Sequence, residues 1–258
     1  MAQYLVTYVQ SRGISQESDY RWLKVRENSQ IPEIPPVLKR PISIDFKTQV
    51  RVYDLIDSQT HSIVLARSDN ELVLLVTGLK AREERTDFMG RKVRNSVAYV
   101  CSDSNDNELI IRSLAVRALR GELEGEVDKA VNIGGEYGFE VSFEKISQLA
   151  RLEDVESLEA EQQIRIGENS IEFKEDLALE LEQHCLPKTK RDSILIAVTG
   201  IKSKDALIQA KVWRSLSSRV KTQEWIKISN GTINVTANTP ELEQNQQKKR
   251  RRFGRRRW

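Results

Sequence analysis

Residues 62–100 read SIVLARSDNELVLLVTGLKAREERTDFMGRKVRNSVAYV, and this stretch decides the class of fold. Ser62-Ile63-Val64-Leu65-Ala66 and Leu72-Val73-Leu74-Leu75-Val76 are apolar and rich in β-branched side chains, with Ser68-Asp69-Asn70 between them. Branched side chains suit a pleated, half-buried surface, and short polar residues suit the turn that joins two strands. A further strand is expected at Ser96-Val97-Ala98-Tyr99-Val100, so the stretch predicts a run of antiparallel strands. Leu79–Asp87 and Val93 onward are expected to form a hairpin whose turn contains Gly90.

On the N-terminal side the same reasoning places strands at Tyr4–Val9, Tyr20–Val25 and Gln49–Tyr53. The segment Ile31-Pro32-Glu33-Ile34-Pro35-Pro36 loses three backbone donors to proline and is expected to be extended and irregular. On the C-terminal side a helix is expected from about Asp106. Asn105 reads as its N-cap, Glu108 completes a near capping box, and Gly121 stops it. Apolar residues at helical spacing predict helices over Ser142–Leu158, Phe173–Leu186 and Asp205–Val220, with Pro187 ending the second. Ser193–Val198 and Glu224–Ile228 read as strands. Val131–Ile133 and Phe139–Val141 flank Gly134-Gly135-x-x-Gly138, which lacks a dinucleotide fingerprint and reads as a flexible turn.

The fold class that results is mixed α+β. A β-rich half with antiparallel strands and one long helix spans 1–121. A helix-rich α/β half spans 122–238 and can be continuous with the first, and a disordered basic tail spans 239–258. The strand-helix-strand order of the second half is open to a βαβ unit or to a small α+β layer. Val76-Thr77-Gly78-Leu79-Lys80 is echoed by Val198-Thr199-Gly200-Ile201-Lys202, either as a trace of duplication or by chance.

Charge carries the strongest functional signal. The 258 residues include 41 Lys and Arg against 38 Asp and Glu, a net charge of +3. Residues 248–258 read KKRRRFGRRRW and hold eight of those cations and no acid; the remainder has 33 basic and 38 acidic residues, net −5. Lys248, Lys249, Arg250, Arg251, Arg252, Arg255, Arg256 and Arg257 are suited to neutralising phosphates, while Phe253 and Trp258 can stack on unpaired bases. Nucleic acid is therefore the expected partner of the tail. An anionic membrane surface or an acidic protein face is the alternative.

Within the body, Arg85-x-Asp87-x-x-Gly90-Arg91-x-x-x-Asn95 offers two guanidiniums, a carboxylate and an amide around a tight turn. That set fits phosphate or partner recognition, or else a hairpin in which Asp87 organises the turn and Gly90 takes a positive φ. Gly78-Leu79-Lys80 and Gly200-Ile201-Lys202 lack phosphate-loop spacing. His61 and His184 are the only histidines, Cys101 and Cys185 the only cysteines, and no metal-ligand spacing links them. No cofactor and no metal are expected. The thiols, the missing secretion signal and the lack of any apolar run near eighteen residues point to a cytoplasmic protein.

Together these features describe a non-enzymatic accessory or adaptor subunit that binds a protein partner and tethers it to nucleic acid. One alternative is a metal-dependent nuclease built on Asp45, Asp87, Glu168 and Glu172. Another is a bacterial signalling or defence component whose tail docks on a membrane or an acidic protein.

Overall fold

The structure, a computed structural model, describes residues 5–43, 49–82, 85–151, 156–189, 192–229 and 232–233. β1 (Val6–Ser11), β2 (Arg21–Arg26) and β3 (Ser29–Pro32) form an antiparallel series that ends at Pro32, which has no N–H to offer a further partner. The proline segment is not extended throughout. Pro36 opens the single-turn helix α1 (Pro36–Lys39), where a fixed φ and a missing donor are tolerated. β4 (Pro41–Ser43) and β5 (Gln49–Arg51) pair with each other. The strand expected to reach Tyr53 stops at Arg51, because the Asp54 carboxylate accepts the Arg51 N–H and winds Val52–Leu55 into a 3-10 turn.

β6 (Ser62–Ser68), β7 (Glu71–Lys80) and β8 (Arg94–Ser102) form the antiparallel meander that the sequence predicts. Asp69 and Asn70 both take positive φ between β6 and β7, the conformation of a two-residue hairpin loop. α2 (Asn105–Leu119) begins one residue before the expected start. Ser104, not Asn105, is its cap, with Oγ accepting the Asn107 N–H at 3.4 Å. Its end is the predicted one. Gly121 sits at φ 78, its N–H bonds Ala118 O, and the Glu122 N–H bonds Arg117 O.

α3 (Leu123–Ala130) has no counterpart among the expected elements; four of its eight residues are Glu, Asp or Lys, which hides its apolar face. β9 (Val131–Ile133) and β10 (Phe139–Val141) form a separate small hairpin around the glycine turn. α4 (Phe143–Gln148) is far shorter than the helix expected to reach Leu158; residues 152–155 lie outside the described residues. After β11 (Ile164–Glu168) comes α5 (Ile171–Gln183), and the Glu156 and Leu158 N–H groups bond to its final carbonyls, so that segment is extended.

β12 (Ser193–Thr199) leads into α6 (Lys204–Gln209), which is only the start of the helix expected over Asp205–Val220. Lys211 turns the chain at φ 48, and Arg214–Ser217 becomes β13, a strand buried at every position. Arg214 and Ser217 find their partners inside the protein, so hydropathy gave no sign of burial. β14 (Ile226–Ser229) and β15 (Thr232–Ile233) complete the set.

Eleven strands share one sheet in the order β15-β14-β11-β13-β12-β6-β7-β8-β1-β2-β3. Among the described strands only β11–β13 and β13–β12 pair in parallel, and the β12-α6-β13 crossover makes the second half a βαβ arrangement. β6 pairs with β12, joining the meander to the parallel strands. Alternate side chains feed two cores. Leu65, Leu74 and Tyr99 pack with α2, α3 and α5, whereas Val64, Leu75 and Ala98 pack with α1, the 3-10 turn and α6.

Several arginines are interior. Arg112, Arg117 and Arg214 are fully buried. One Arg112 amino group donates to Glu156 O, Leu181 O and His184 O at 2.9, 2.9 and 2.7 Å, closing the carbonyl end of α5. Arg214 forks onto Glu180 and stacks at 4.1 Å on Trp213. Part of the charged fraction of 31% therefore holds the core together rather than facing water. Among the described residues no helix is long and apolar enough to cross a membrane.

Candidate functional site

β7 and β8 are continued by the hairpin that the sequence singled out. The Asp87 N–H bonds Arg91 O, the Gly90 N–H bonds Asp87 O, and Gly90 takes φ 74. One Asp87 oxygen accepts the Met89 and Arg91 N–H groups, each at 2.9 Å. The other accepts Arg91 Nε at 2.8 Å and an Arg12 amino group at 3.1 Å. Burial pushes the Asp87 carboxyl upward, but hydrogen bonds from the Arg91 backbone and side chain and from Met89 outweigh it and hold the group below the usual carboxylate range.

A second knot lies deeper. Arg85 donates to Ser11 Oγ at 2.9 Å, Ser11 donates to Asn95 Oδ1 at 2.7 Å, and Arg85 faces Asp128 of α3 at 3.6 Å. Burial lowers the Arg85 pKa and the Asp128 charge opposes that. The structure thus brings Arg85, Asp87, Arg91 and Asn95 into one hairpin but divides their tasks. Arg85 and Asn95 are buried ties between β1, β8 and α3. Asp87 clamps the turn, and the tip presents Arg91 together with the exposed Phe88 and Met89.

Sequence reasoning missed what lies beside this tip. The Arg12 guanidinium sits 5.4 Å from the Tyr20 ring and 5.7 Å from the Phe88 ring. Tyr20 stands just before β2 and Trp22 within it, and both side chains line the same groove. With Tyr53, Ile34 and Lys39 they line a groove of about 750 Å³. Trp22 is buried, and its indole N–H is directed at the Tyr53 hydroxyl. Burial raises the phenol pKa of Tyr53, and the hydrogen bond that its oxygen accepts from the Trp22 indole opposes that rise. Glu33 is the one carboxylate of the lining, and it is held by the Tyr8 hydroxyl and the Lys24 ammonium at 3.1 and 3.2 Å. The signal in the sequence was the pair of aromatics two apart before a proline-rich segment.

The remaining candidates are dispersed. Lys248–Trp258 and Asp45 lie outside the described residues. Glu168 is bound by Lys221 and the Thr222 N–H, and Glu172 begins α5 beside it. Glu168 lies on β11, Asp87 in the hairpin beyond β7, and β13, β12 and β6 stand between the two strands, so the two carboxylates belong to different parts of the sheet. Among the described residues no three of His, Cys, Asp or Glu are gathered as metal ligands. Burial pushes the Cys101 thiol up to about 12, which removes its nucleophilic form at neutral pH. No family model, no curated protein and no solved structure matches this chain.

Proposed function

We propose that the chain is a non-enzymatic accessory or adaptor subunit of a cytoplasmic assembly. Its α/β body docks a protein partner, and its arginine-rich arm holds nucleic acid without reading sequence. The observation that carries this reading is the charge division: eight cations and no acid in residues 248–258 against a net −5 in the rest. A mixture of Arg, Phe and Trp contacts phosphates through guanidinium forks and bases through ring faces, while release of counterions supplies the affinity.

The body supports the adaptor half of the proposal. A hairpin tip clamped by one carboxylate keeps Phe88, Met89 and Arg91 exposed in a fixed geometry, and preorganised aromatic, Met and Arg side chains are what protein interfaces favour. Asp87, in the hairpin beyond β7, and Glu168, on β11, are the carboxylates a nuclease would need, and each is engaged by a cation.

Fluorescence anisotropy with the intact protein and a 1–247 protein, against labelled single strands and duplex, tests the arm. Loss of binding in 1–247 with unchanged circular dichroism and melting is the expected result. Undiminished affinity after the deletion would sink the proposal.

A further inference from the structure

We propose that the outward face of α5 is the docking site of the chain's own arginine-rich arm, residues 248–258. The contact involves the arm already assigned to nucleic acid but does not depend on what else that arm binds.

Helical spacing creates the face. Phe173, Leu177, Ala178 and Leu181 turn inward. Glu172, Glu175, Asp176, Leu179, Glu182 and Gln183 recur every three or four residues and form one outward stripe. Leu179 is 44% exposed in the middle of this stripe, and Ile171, in the first turn, is 82% exposed. Negative charge is concentrated in the same place. Residues 156–183 hold nine acidic and two basic residues, net −7, whereas residues 1–247 as a whole amount to −5. Arg120 bridges Glu175 and Glu182. Glu172 accepts a bond from the Ser170 hydroxyl but, like Asp176, has no cationic partner among the described residues. The same holds for the exposed Glu156 and Glu159, whose backbones are bonded to the last turn and the cap residue of the helix.

Charge and topology select the occupant. An exposed leucine among carboxylates without cations fits a segment that carries both guanidiniums and rings. In KKRRRFGRRRW the arginines fork onto carboxylates, and Phe253 and Trp258 cover apolar surface otherwise left in water. A second copy of the body would bring the same acidic face and be repelled. β15, the last described strand, is outermost in the sheet beside β14 and β11, and α5 covers that end, where the Phe173 ring meets the Trp225 ring at 5.0 Å just before β14. Fourteen residues, 234–247, separate β15 from Lys248 and span up to about 45 Å, while α5 is only about 20 Å long. A tether of that length keeps the arm near a millimolar local concentration, so a contact too weak to form between separate molecules is populated within one. Nucleic acid and α5 compete for the same cations. Salt screens the contact, which holds the arm at low ionic strength and yields it as salt rises.

The test uses the full-length chain without nucleic acid. Trypsin cuts after Lys and Arg, so its rate of cutting within residues 248–257, followed by intact mass, reports how often the arm is free. At low salt the double variant Glu172→Gln, Asp176→Asn should be cut about three- to tenfold faster than the parent, the scale of two lost exposed ion pairs. Leu179→Ser should be cut faster by a smaller factor. The double variant Glu17→Gln, Glu27→Gln removes the same charge from the loops flanking β2, at the other end of the sheet, and should match the parent. At about 0.5 M salt all of these proteins should converge. Equal rates at low salt for the parent and the α5 double variant would overturn the docking and leave the tether to its own anisotropy test. Equal acceleration by the Glu17 and Glu27 pair would also overturn it, as an effect of net charge alone. Protection that vanishes on dilution would place the arm on another molecule and overturn docking within one chain. Protection that depends on α5, in a chain that binds no nucleic acid, would uphold the docking and sink the tether reading.

Discussion

Replacing Gly78 with alanine separates two glycines that look equivalent in the sequence. Gly78 lies where β7 bulges against β8, between Val76 and Leu79, and takes φ +71. A Cβ there would stand 2.2 Å from Thr60 O, 2.3 Å from Thr60 C and 2.7 Å from His61 N. All three are backbone atoms, so no side chain can rotate out of the way. The left-handed conformation costs about 1–2 kcal/mol, and forcing the 60–61 backbone aside costs about 1–3 kcal/mol more. Gly78→Ala should therefore lose about 2–5 kcal/mol. At about 2–4 °C per kcal/mol for a chain of this size, the melting temperature should fall by about 4–20 °C.

Gly200 occupies the matching place in the echoed Val-Thr-Gly element, yet its backbone is in an ordinary region. A Cβ there would meet only the Thr60 hydroxyl, at 3.2 Å. A hydroxyl can turn away, and alanine reduces the freedom of the unfolded chain, so Gly200→Ala should stay within about 1 kcal/mol of the parent. Thermal melts followed by circular dichroism at a single pH decide the matter. Equal losses for the two variants, or an unchanged Gly78→Ala melt, would refute the steric argument.

Other outcomes follow from the buried polar groups. Burial, followed by the Lys174 charge, lowers the His61 pKa from 6.5 to about 4. The folded protein refuses a proton that the unfolded chain accepts, so this contribution is complete above about pH 6.5 and is lost as pH falls toward 4. At about 1.4 kcal/mol per pKa unit it amounts to about 3 kcal/mol at most. Urea melts from pH 7 to pH 4.5 should show a shallower loss of stability for His61→Gln than for the parent; parallel profiles would refute the assignment. Arg112→Met would strand three buried carbonyls and the Glu108 carboxylate, and should cost about 3–5 kcal/mol. An equilibrium urea midpoint close to that of the parent would show that the guanidinium is dispensable.

The elements legible in the sequence were those whose burial is written in apolar side chains. β6, β7 and β12 are runs of Val, Ile and Leu, β8 is built on Val97, Ala98, Tyr99 and Val100, and α2 and α5 carry apolar residues at helical spacing between recognisable stops. β13 was not legible, because its Arg214, Ser215 and Ser217 are polar and nevertheless buried. The solvation of Arg214 and Ser217 is replaced by Glu180 and by backbone carbonyls brought from elsewhere in the chain. α3 failed for a related reason, since Asp128 on its buried side pairs with Arg82 and Arg85 from outside the helix.

The site divides in the same way. The turn at Asp87 and Gly90 could be read because a β-turn is a local structure with local residue preferences. Arg12 could not, because it reaches Asp87 only after β1 has paired with β8. The groove was hidden for the same reason. Tyr20 and Trp22 meet Tyr53 only once the proline segment and α1 have crossed the face of β2, a packing that no spacing in the sequence encodes.

The salt dependence of single-strand binding tests the central claim most directly. For the intact protein, log K against log salt concentration should fall with a slope of roughly −5 to −6, as eight cations each contribute about −0.7 on single strands. The 1–247 protein, a body of net charge −5, should bind weakly, with a slope no steeper than about −1 to −2. A slope for the intact protein no steeper than that of the 1–247 protein would contradict the claim that the arm is the tether.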